Sequence, residues 1–521
     1  MLRRRLLPSL QALVRTADPA GPATEMLPVL DDAFVVRVLD LAIRVGETML
    51  VAGAPASEVT STIVRITGVY GLDPVHVDVT YNAITVAHHR SGADRPVTLM
   101  RVVRGSAPDH ARLQRIQALV AAVREGLGLD EAIARFRSIR RTPFAYHQPV
   151  VIASQALLAV GVAVMFGGNW LVITLSFVAA AAAALTQSLL ARARVPFFFS
   201  QIAGAFVLTL VAAAAPLLEL TGWDAATTIR PSVIVASGIV LMLAGLTVVG
   251  AAQDAIDGFA LTAMGRILEL VTQTVGVVLG ILAGLETARV IGLGMEAPST
   301  TLPFGPLPLQ FLGAALIAVA VTVFNGAGMR IIVVSMGLSV VAWAGYIAAS
   351  GLGFDTAAAS GVGAFAGSVV GVVVAYRLHV PSVAITTAAI LPMVPGAAVF
   401  RGLLGVVESG QSPSTLLTGF TTLASAATIG IALAVGASLG IYLGQPLRAS
   451  LGSIIRARVC GADVGICSEH GCCDRRHLEP GSRRRLGCHA RRRHRVAERA
   501  HVRRHGPERR PLVRRRGARS R

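Results

Sequence analysis

Charge is scarce in this chain. Only 15% of its 521 residues are charged, 53% are hydrophobic, and the mean hydropathy is +0.64. Soluble domains usually carry about a quarter charged residues, so the shortage excludes an ordinary water-soluble enzyme of this length and points to a membrane protein. Lysine is absent, every basic side chain apart from histidine being arginine, as GC-rich coding produces. Cysteine is absent up to Val459; Cys460, Cys467, Cys472, Cys473 and Cys488 all follow it and say little about redox compartment. A phosphate-binding loop, a His-Glu zinc motif and a Ser/His/Asp order are also missing, which disfavours an ATP-driven pump and leaves no catalytic constellation. The chain is therefore expected not to be an enzyme and to need no cofactor.

What is present falls into zones. Residues 1–32 are a basic arm whose apolar stretch is broken by Pro8 and Arg15, with no small-residue cleavage site, so it is read as a cytosolic arm and not a targeting segment. Residues 33–147 have soluble patterning. Val35, Val36, Leu39, Ile43, Gly46 and Leu50 recur at helical spacing, and Gly-Ala-Pro at 53–55 ends that helix and starts another with Val59, Ile63 and Ile66 inward. "PVHVDVTYNAITVAHH" changes to period two, with Val75, Val77 and Val79 on one face, and "RPVTLMRVV" offers a further strand. Helices are predicted at 108–126 and 130–139, the second with Asp130 as N-cap, giving a cytosolic α+β domain. His76, Asp78, His88 and His89 are better read as a polar strand face than as a metal site, because no second ligand pair has diagnostic spacing.

Residues 148–445 hold about ten apolar runs, near 148–166, 170–191, 197–218, 231–252, 259–285, 308–325, 329–350, 357–376, 380–401 and 419–443. Each is long enough for a hydrocarbon core roughly 30 Å thick. With the first domain in the cytosol, the inner loops carry Arg140, Arg141, Arg192, Arg194, Arg330, Arg377 and Arg448, and the outer ones Arg230, Arg289 and Arg401, which fits both termini inside. "PSVIVASGIVLMLAG" (231–245) and "PSVAITTAAILPMVPG" (381–396) begin the fourth and ninth runs alike, reach Gly245 and Gly396 at nearly the same distance, and are followed by the acids Asp257 and Glu408. An odd separation of five runs makes the two halves, 148–300 and 301–445, an inverted repeat, the plan of many secondary transporters.

"LDLAIRVGETMLVAGAPASEVTSTIVRITGVYGL" followed by "VDVTYNAITV" resembles the soluble N-terminal segment of the bacterial threonine/serine exporter family. The two Pro-Ser-Val segments resemble that family's two five-span membrane halves, and the resemblance covers about 33–445. It implies a polytopic α-helical inner-membrane protein of about ten transmembrane helices that exports threonine and serine, driven by protons. A related branch is associated with dicarboxylate export, which stands as the alternative substrate class. A cytosolic sensor or enzyme on a membrane anchor is the other alternative, but an anchor needs one span and not ten. The first half departs from the family's Pro-Gly at Leu243-Ala244-Gly245, so its helix break is expected to be softer than that at Pro395-Gly396.

The candidate pathway residues follow from physical chemistry. A zwitterion crossing lipid needs partners for its ammonium and its carboxylate, which acids and the N–H groups of a broken helix can supply. Asp254 and Asp257, three apart, share a face if their helix continues; Arg266 and Glu269 repeat the spacing on the next run, with Glu269 the deepest carboxylate. The competing reading places the two aspartates in a solvated turn and pairs Glu269 with Arg266. Pro392 and Pro395, which lack an N–H, should interrupt the ninth run close to Gly396.

Residues 446–521 read as an Arg/Cys-rich tail. After Val459 come 19 arginines against six acids, with no hydrophobic period and no aromatic residue. A frameshifted or disordered segment explains this mixture better than specific nucleic-acid, lipid or zinc binding. Removal of residues after about 459 is expected to leave membrane insertion and efflux intact; loss of transport at normal membrane levels would show that the tail works.

Overall fold

The computed structural model describes residues 31–89, 96–103, 105, 107–221, 231–242, 245–293, 303–378, 382–407 and 413–464. The basic arm, Leu243-Ala244, Glu408 and the tail beyond Val464 lie outside the described residues. Two compact units are distinguished, Met1–Ser453 and Ile454–Arg521; the described part of the second is helical to Val464.

The N-terminal domain opens with α1 (Asp32–Val51) and α2 (Ala56–Val69). Asp31 caps α1 by accepting from the Ala33 N–H, and the turn between the helices uses Gly53 at φ 90 before Pro55 restarts the chain. Val35, Leu39, Ile43 and Leu50 face the core as their spacing predicts, whereas Val36 points outward, beside the buried stripe and not in it. Gly46 marks the close approach of the two helices, since a Cβ there would lie 2.7 Å from Ile63 Cδ1. Strands β1 (Val75–Thr80), β2 (Ala83–His88) and β3 (Val97–Val102) form one antiparallel sheet, with Val77 opposite Val86 and Val86 opposite Leu99. His88 hydrogen-bonds the Pro74 carbonyl, and His76 meets the His89 ring edge to face.

Helices α3 (His110–Arg124) and α4 (Leu129–Arg141) complete the domain. Asp130 does not cap α4. The cap is Gly128, reached through Gly126 at φ 98, so Asp130 falls inside the first turn, where its carboxylate pairs with Arg37 of α1. One apolar core joins all these elements and takes in Phe259 from the membrane-type region.

That region comprises α5 (Gln148–Met165), α6 (Trp170–Arg192), α7 (Phe197–Ala214), α8 (Pro231–Met242), α9 (Gly245–Ile256), α10 (Ala260–Val290), α11 (Leu307–Phe324), α12 (Met329–Gly351), α13 (Thr356–Leu378), α14 (Ser382–Ile390), α15 (Gly396–Val407) and α16 (Pro413–Val464). Among the described residues eight helices are long and apolar enough to cross a membrane, or nine if α14 and α15, bent by 54°, count as one. In the fourth run the described residues form α8 and α9, each 12 residues and about 18 Å long, with Leu243-Ala244 between them outside the described residues. In the ninth run the helix gives way to a 3-10 turn at Leu391–Met393. Pro392 and Pro395 cannot donate, so the Val394 N–H turns back to the Leu391 carbonyl, and α15 restarts with Ala398 and Val399 donating to Pro395. The last helix continues through Val464, so the part of the tail from 446 to 464 is helical.

Packing is crosswise. The α8 helix lies against α5, α6 and α7, and α14 against α11, α12 and α13. The following helices pack with the other bundle: Phe400 and Leu404 of α15 are buried with Ile234 and Val277, and Val249 of α9 with Ile317 and Ala388. The bundles meet where α5 crosses α11. There a Cβ on Gly313 would stand 2.4 Å from the Gly161 carbonyl oxygen, so only glycine allows the backbones to approach this closely. Gly313→Leu is therefore expected to cost at least the upper part of the roughly 1–3 kcal/mol typical of overpacking, read as a lower melting temperature and lower yield in detergent. An unchanged melting temperature would mean the crossing can spread without loss.

Candidate functional site: two cavities beside the helix breaks

The α9–α10 and α11–α12 turns face the N-terminal domain. Phe259 packs into its core, the His110 N–H donates to the Asn325 carbonyl at 2.8 Å, and the Tyr146 hydroxyl donates to the Ala327 carbonyl at 2.7 Å. At the other end, the Gly305 N–H donates to the Met165 carbonyl, and Phe166 stacks on Phe304 with ring centres 5.7 Å apart. Each end has a cavity.

The inner cavity, of about 420 Å³, lies under the N-terminal domain. Thr247, Gly250 and Gln253 of α9, Arg266 and Glu269 of α10 and Thr387 of α14 line it, and Gly53, Pro55, Tyr81 and His110 close it from the domain side. Asp254 stands beside it, fully buried, with Oδ2 3.0 Å from Arg266 Nη1 and Oδ1 accepting from the Ala56 N–H at 3.3 Å. That amide is the first of α2, so the carboxylate meets the positive end of a helix as well as a guanidinium. Gly250 leaves the room Arg266 needs, since a Cβ there would be 2.7 Å from Nη1.

The other acids depart from their sequence placement. Asp257 does not share a face with Asp254: α9 ends at Ile256, and Asp257 sits exposed in the turn made by Gly258 at φ 90. Glu269 is neither deep nor paired with Arg266. Its Oε2 accepts from the Tyr81 hydroxyl at 2.9 Å and its Oε1 from Gln273 at 3.1 Å. At 31 residues, about 46 Å, α10 exceeds the hydrocarbon core, so its first turns are free to meet the N-terminal domain. The β1–β2 turn docks there. Tyr81 N–H donates to Thr262 Oγ1, which donates in turn to the Val79 carbonyl, and the Tyr81 ring lies against Gly265. Burial first, then Glu269, pushes the Tyr81 hydroxyl up to about 12, which keeps it a donor. Glu58, half-buried in the first turn of α2, is also raised by desolvation, although Gln117 donates to it at 2.9 Å.

The outer cavity, of about 290 Å³, is built around the break in the ninth run. Pro392 and Pro395 form part of its wall, Ala397, Ala398 and Arg401 continue it, and Phe166, Phe304, Trp343 and Tyr346 face them. Trp343 stacks on Tyr346 at 4.8 Å and meets Phe304 edge to face at 5.5 Å. Gly396 begins α15 and is buried; Gly245 begins α9. Arg401, counted in the sequence with the outer loops, is a half-buried residue of α15 in the cavity wall. Tyr81, His110, Trp343, Tyr346 and Arg401 had no sequence motif to single them out; only the fold brings them to the cavities. No group of three His, Cys, Asp or Glu side chains among the described residues could hold a metal.

His110 supplies a pH dependence. Burial lowers its imidazole from 6.5 to about 4, so between these values the unfolded chain binds a proton that the folded domain refuses. Stability is fully present above about 6.5 and falls as the pH drops towards 4, by on the order of 3 kcal/mol in all. His110→Phe should flatten the acid limb of a melting-temperature profile; an unchanged limb would assign it to the carboxylates.

Residues 40–288 match the family described as "Putative threonine/serine exporter", and residues 310–442 the family described as "Threonine/Serine exporter, ThrE". The chain is 33% identical over 464 residues to a "Probable threonine/serine exporter" of Mycobacterium tuberculosis, covering 87% of this chain and 85% of that protein. It is 30% identical over 443 residues to the "Threonine/serine exporter" of Corynebacterium glutamicum, covering 84% and 88%. No solved structure matches. The chain belongs to the threonine/serine exporter family.

Proposed function

We propose that this protein is a secondary active exporter that moves threonine and serine out of the cell across the inner membrane, driven by the proton gradient. Its N-terminal domain and both termini lie in the cytoplasm, and its ten crossings form two inverted five-helix halves, with α8–α9 and α14–α15 each one crossing. The observation that carries this is the pair of cavities set on opposite sides of the break between α14 and α15: α9 and α14 line the inner one, α8 and α15 the outer one. Backbone interrupted in a membrane is tolerable only where it faces protein or a water-filled path, which makes this break a candidate for the route. The C-terminal end of α14 and the N-terminal end of α15 offer opposite partial charges to a zwitterion.

Asp254 fits the coupling role. A proton arriving there cancels the attraction to Arg266 and weakens the contact with Ala56, which frees the N-terminal domain from α9 and opens the inner cavity. Asp257 stays solvated, and Glu269 holds the Tyr81 latch.

Proteoliposomes holding threonine or serine, with and without an imposed pH gradient, test the proposal: efflux should rise with the gradient. Asp254→Asn should lose gradient-driven efflux and retain exchange, Glu269→Gln should change rates modestly, and Asp257→Asn should behave as wild type. Gly396→Leu, which fills the break, should abolish efflux while the protein still inserts, and Gly245→Leu should harm it less. Absence of amino-acid flux in the wild type would refute the export reading, and normal coupling in all three acid variants would remove the acids from it.

A further inference from the structure

We infer that the outer cavity is the amino-acid binding site, with Arg401 as the partner of the substrate carboxylate and the Trp343 indole N–H as a second donor to the same substrate; this rests on the export reading above. Arg401 lies five residues beyond the break, about 7.5 Å along α15. With Ala397 and Ala398 it places a guanidinium and the first turn of a helix on one wall. Among the described residues no carboxylate lies within ion-pair distance of Arg401. A guanidinium cannot shed its proton at any working pH, so a charge held in this apolar surrounding calls for an anion to share it.

Trp343 gives an independent sign of a ligand. The side chain is 1% exposed, yet its indole nitrogen has no hydrogen-bond partner among the described residues, and the residue lines the cavity. Buried donors are nearly always satisfied, so an acceptor is to be expected beside this one. The cavity's size suits a small solute. At about 290 Å³ it is near the lower end of small-molecule sites, roughly 300–1,000 Å³, and about twice the roughly 150 Å³ that admits benzene. Trp343 and Tyr346 stack to form an aromatic floor, and such faces attract an ammonium group. The Ser360 hydroxyl, which donates to the Thr356 carbonyl, also lines the cavity and keeps lone pairs free to accept. A site of this kind selects α-amino acids with short side chains over amines that lack a carboxylate.

The test is threonine counterflow into liposomes bearing the full chain, with threonine or threoninol as competitor; threoninol has the amine and hydroxyl but no carboxylate. Wild type should be inhibited by threonine and hardly at all by threoninol. Arg401→Gln should raise the KM for threonine roughly ten- to a hundredfold, the range expected for a lost charge-assisted hydrogen bond, and should narrow the preference for threonine over threoninol. A merely structural arginine would lower the amount of active protein and leave that preference alone. Arg401→Lys keeps the charge but not the fork and should fall between; if Arg401→Gln fails to insert, it decides by the same two readouts. Fluorescence gives a binding readout apart from transport. The chain has three tryptophans, and added threonine should change the wild-type emission but not that of Trp343→Phe. Wild-type KM and preference in a transporting Arg401→Gln variant, or a threonine response retained in Trp343→Phe, would overturn the assignment and leave export standing. No threonine or serine flux in wild type would overturn both.

Discussion

A peptide group left unpaired in hydrocarbon costs several kcal/mol, and this constraint governs the membrane-type part of the protein. One of its chain segments cannot remain a continuous helix and is interrupted at Leu391–Pro395. It must therefore hide its interruption among other helices. The fold does this by exchange, packing α15 with the first bundle and α9 with the second, so that this break is enclosed by both. Small residues make the exchange possible. The Gly161–Gly313 crossing holds the two bundles at backbone distance.

The N-terminal domain is tied to this arrangement by polar contacts of different strength. Asp254 joins α9 to α10 and to the start of α2 and is fully buried, so removing one partner leaves a desolvated charge. The Tyr81 contact with Glu269 is more exposed and is correspondingly easier to break. Beside them stand the His110–Asn325 and Tyr146–Ala327 contacts, so the attachment is graded, and the Asp254 contact falls on Ala56, the residue that follows the Gly-Ala-Pro turn. This gives that turn a role beyond ending a helix.

Much of the architecture was legible because hydropathy and proline chemistry are local. Apolar runs mark helices wherever they lie, and Pro392 and Pro395 remove hydrogen bonds whatever surrounds them. The site was less legible because its partners are distant in sequence. Whether Asp254 and Asp257 share a face depended on the helix ending at Ile256, which no residue between them announces. The competing reading of Glu269 looks to Arg266, three residues away, whereas its partner Tyr81 is 188 residues distant. Arg401 had the character of a loop charge because a hydropathy window sees composition and not the cavity a side chain borders. Asp130 shows the same limit on a small scale: two glycines upstream let the helix begin earlier, and its carboxylate went to Arg37 instead.

The position of Arg401, which has no carboxylate partner among the described residues, suggests why the two cavities differ in chemistry. In the inner one Asp254 engages Arg266, and Glu269 accepts from the neutral Tyr81 hydroxyl, so the arginine there is already occupied and does not draw a substrate carboxylate. In the outer one Arg401 lines the wall with an aromatic floor opposite, which favours a carboxylate with an ammonium beside it. Holding a charge without a counter-ion is unfavourable, and a bound amino acid relieves that cost while paying for its own desolvation. A substrate that satisfies both demands lowers the energy of the state in which the breaks surround it. One that lacks the carboxylate leaves Arg401 unsatisfied and gains nothing from entering. Selectivity then arises from the cost of the unpaired state as much as from the contacts in the filled one, which is the reason an arginine can persist in an apolar stretch of α15.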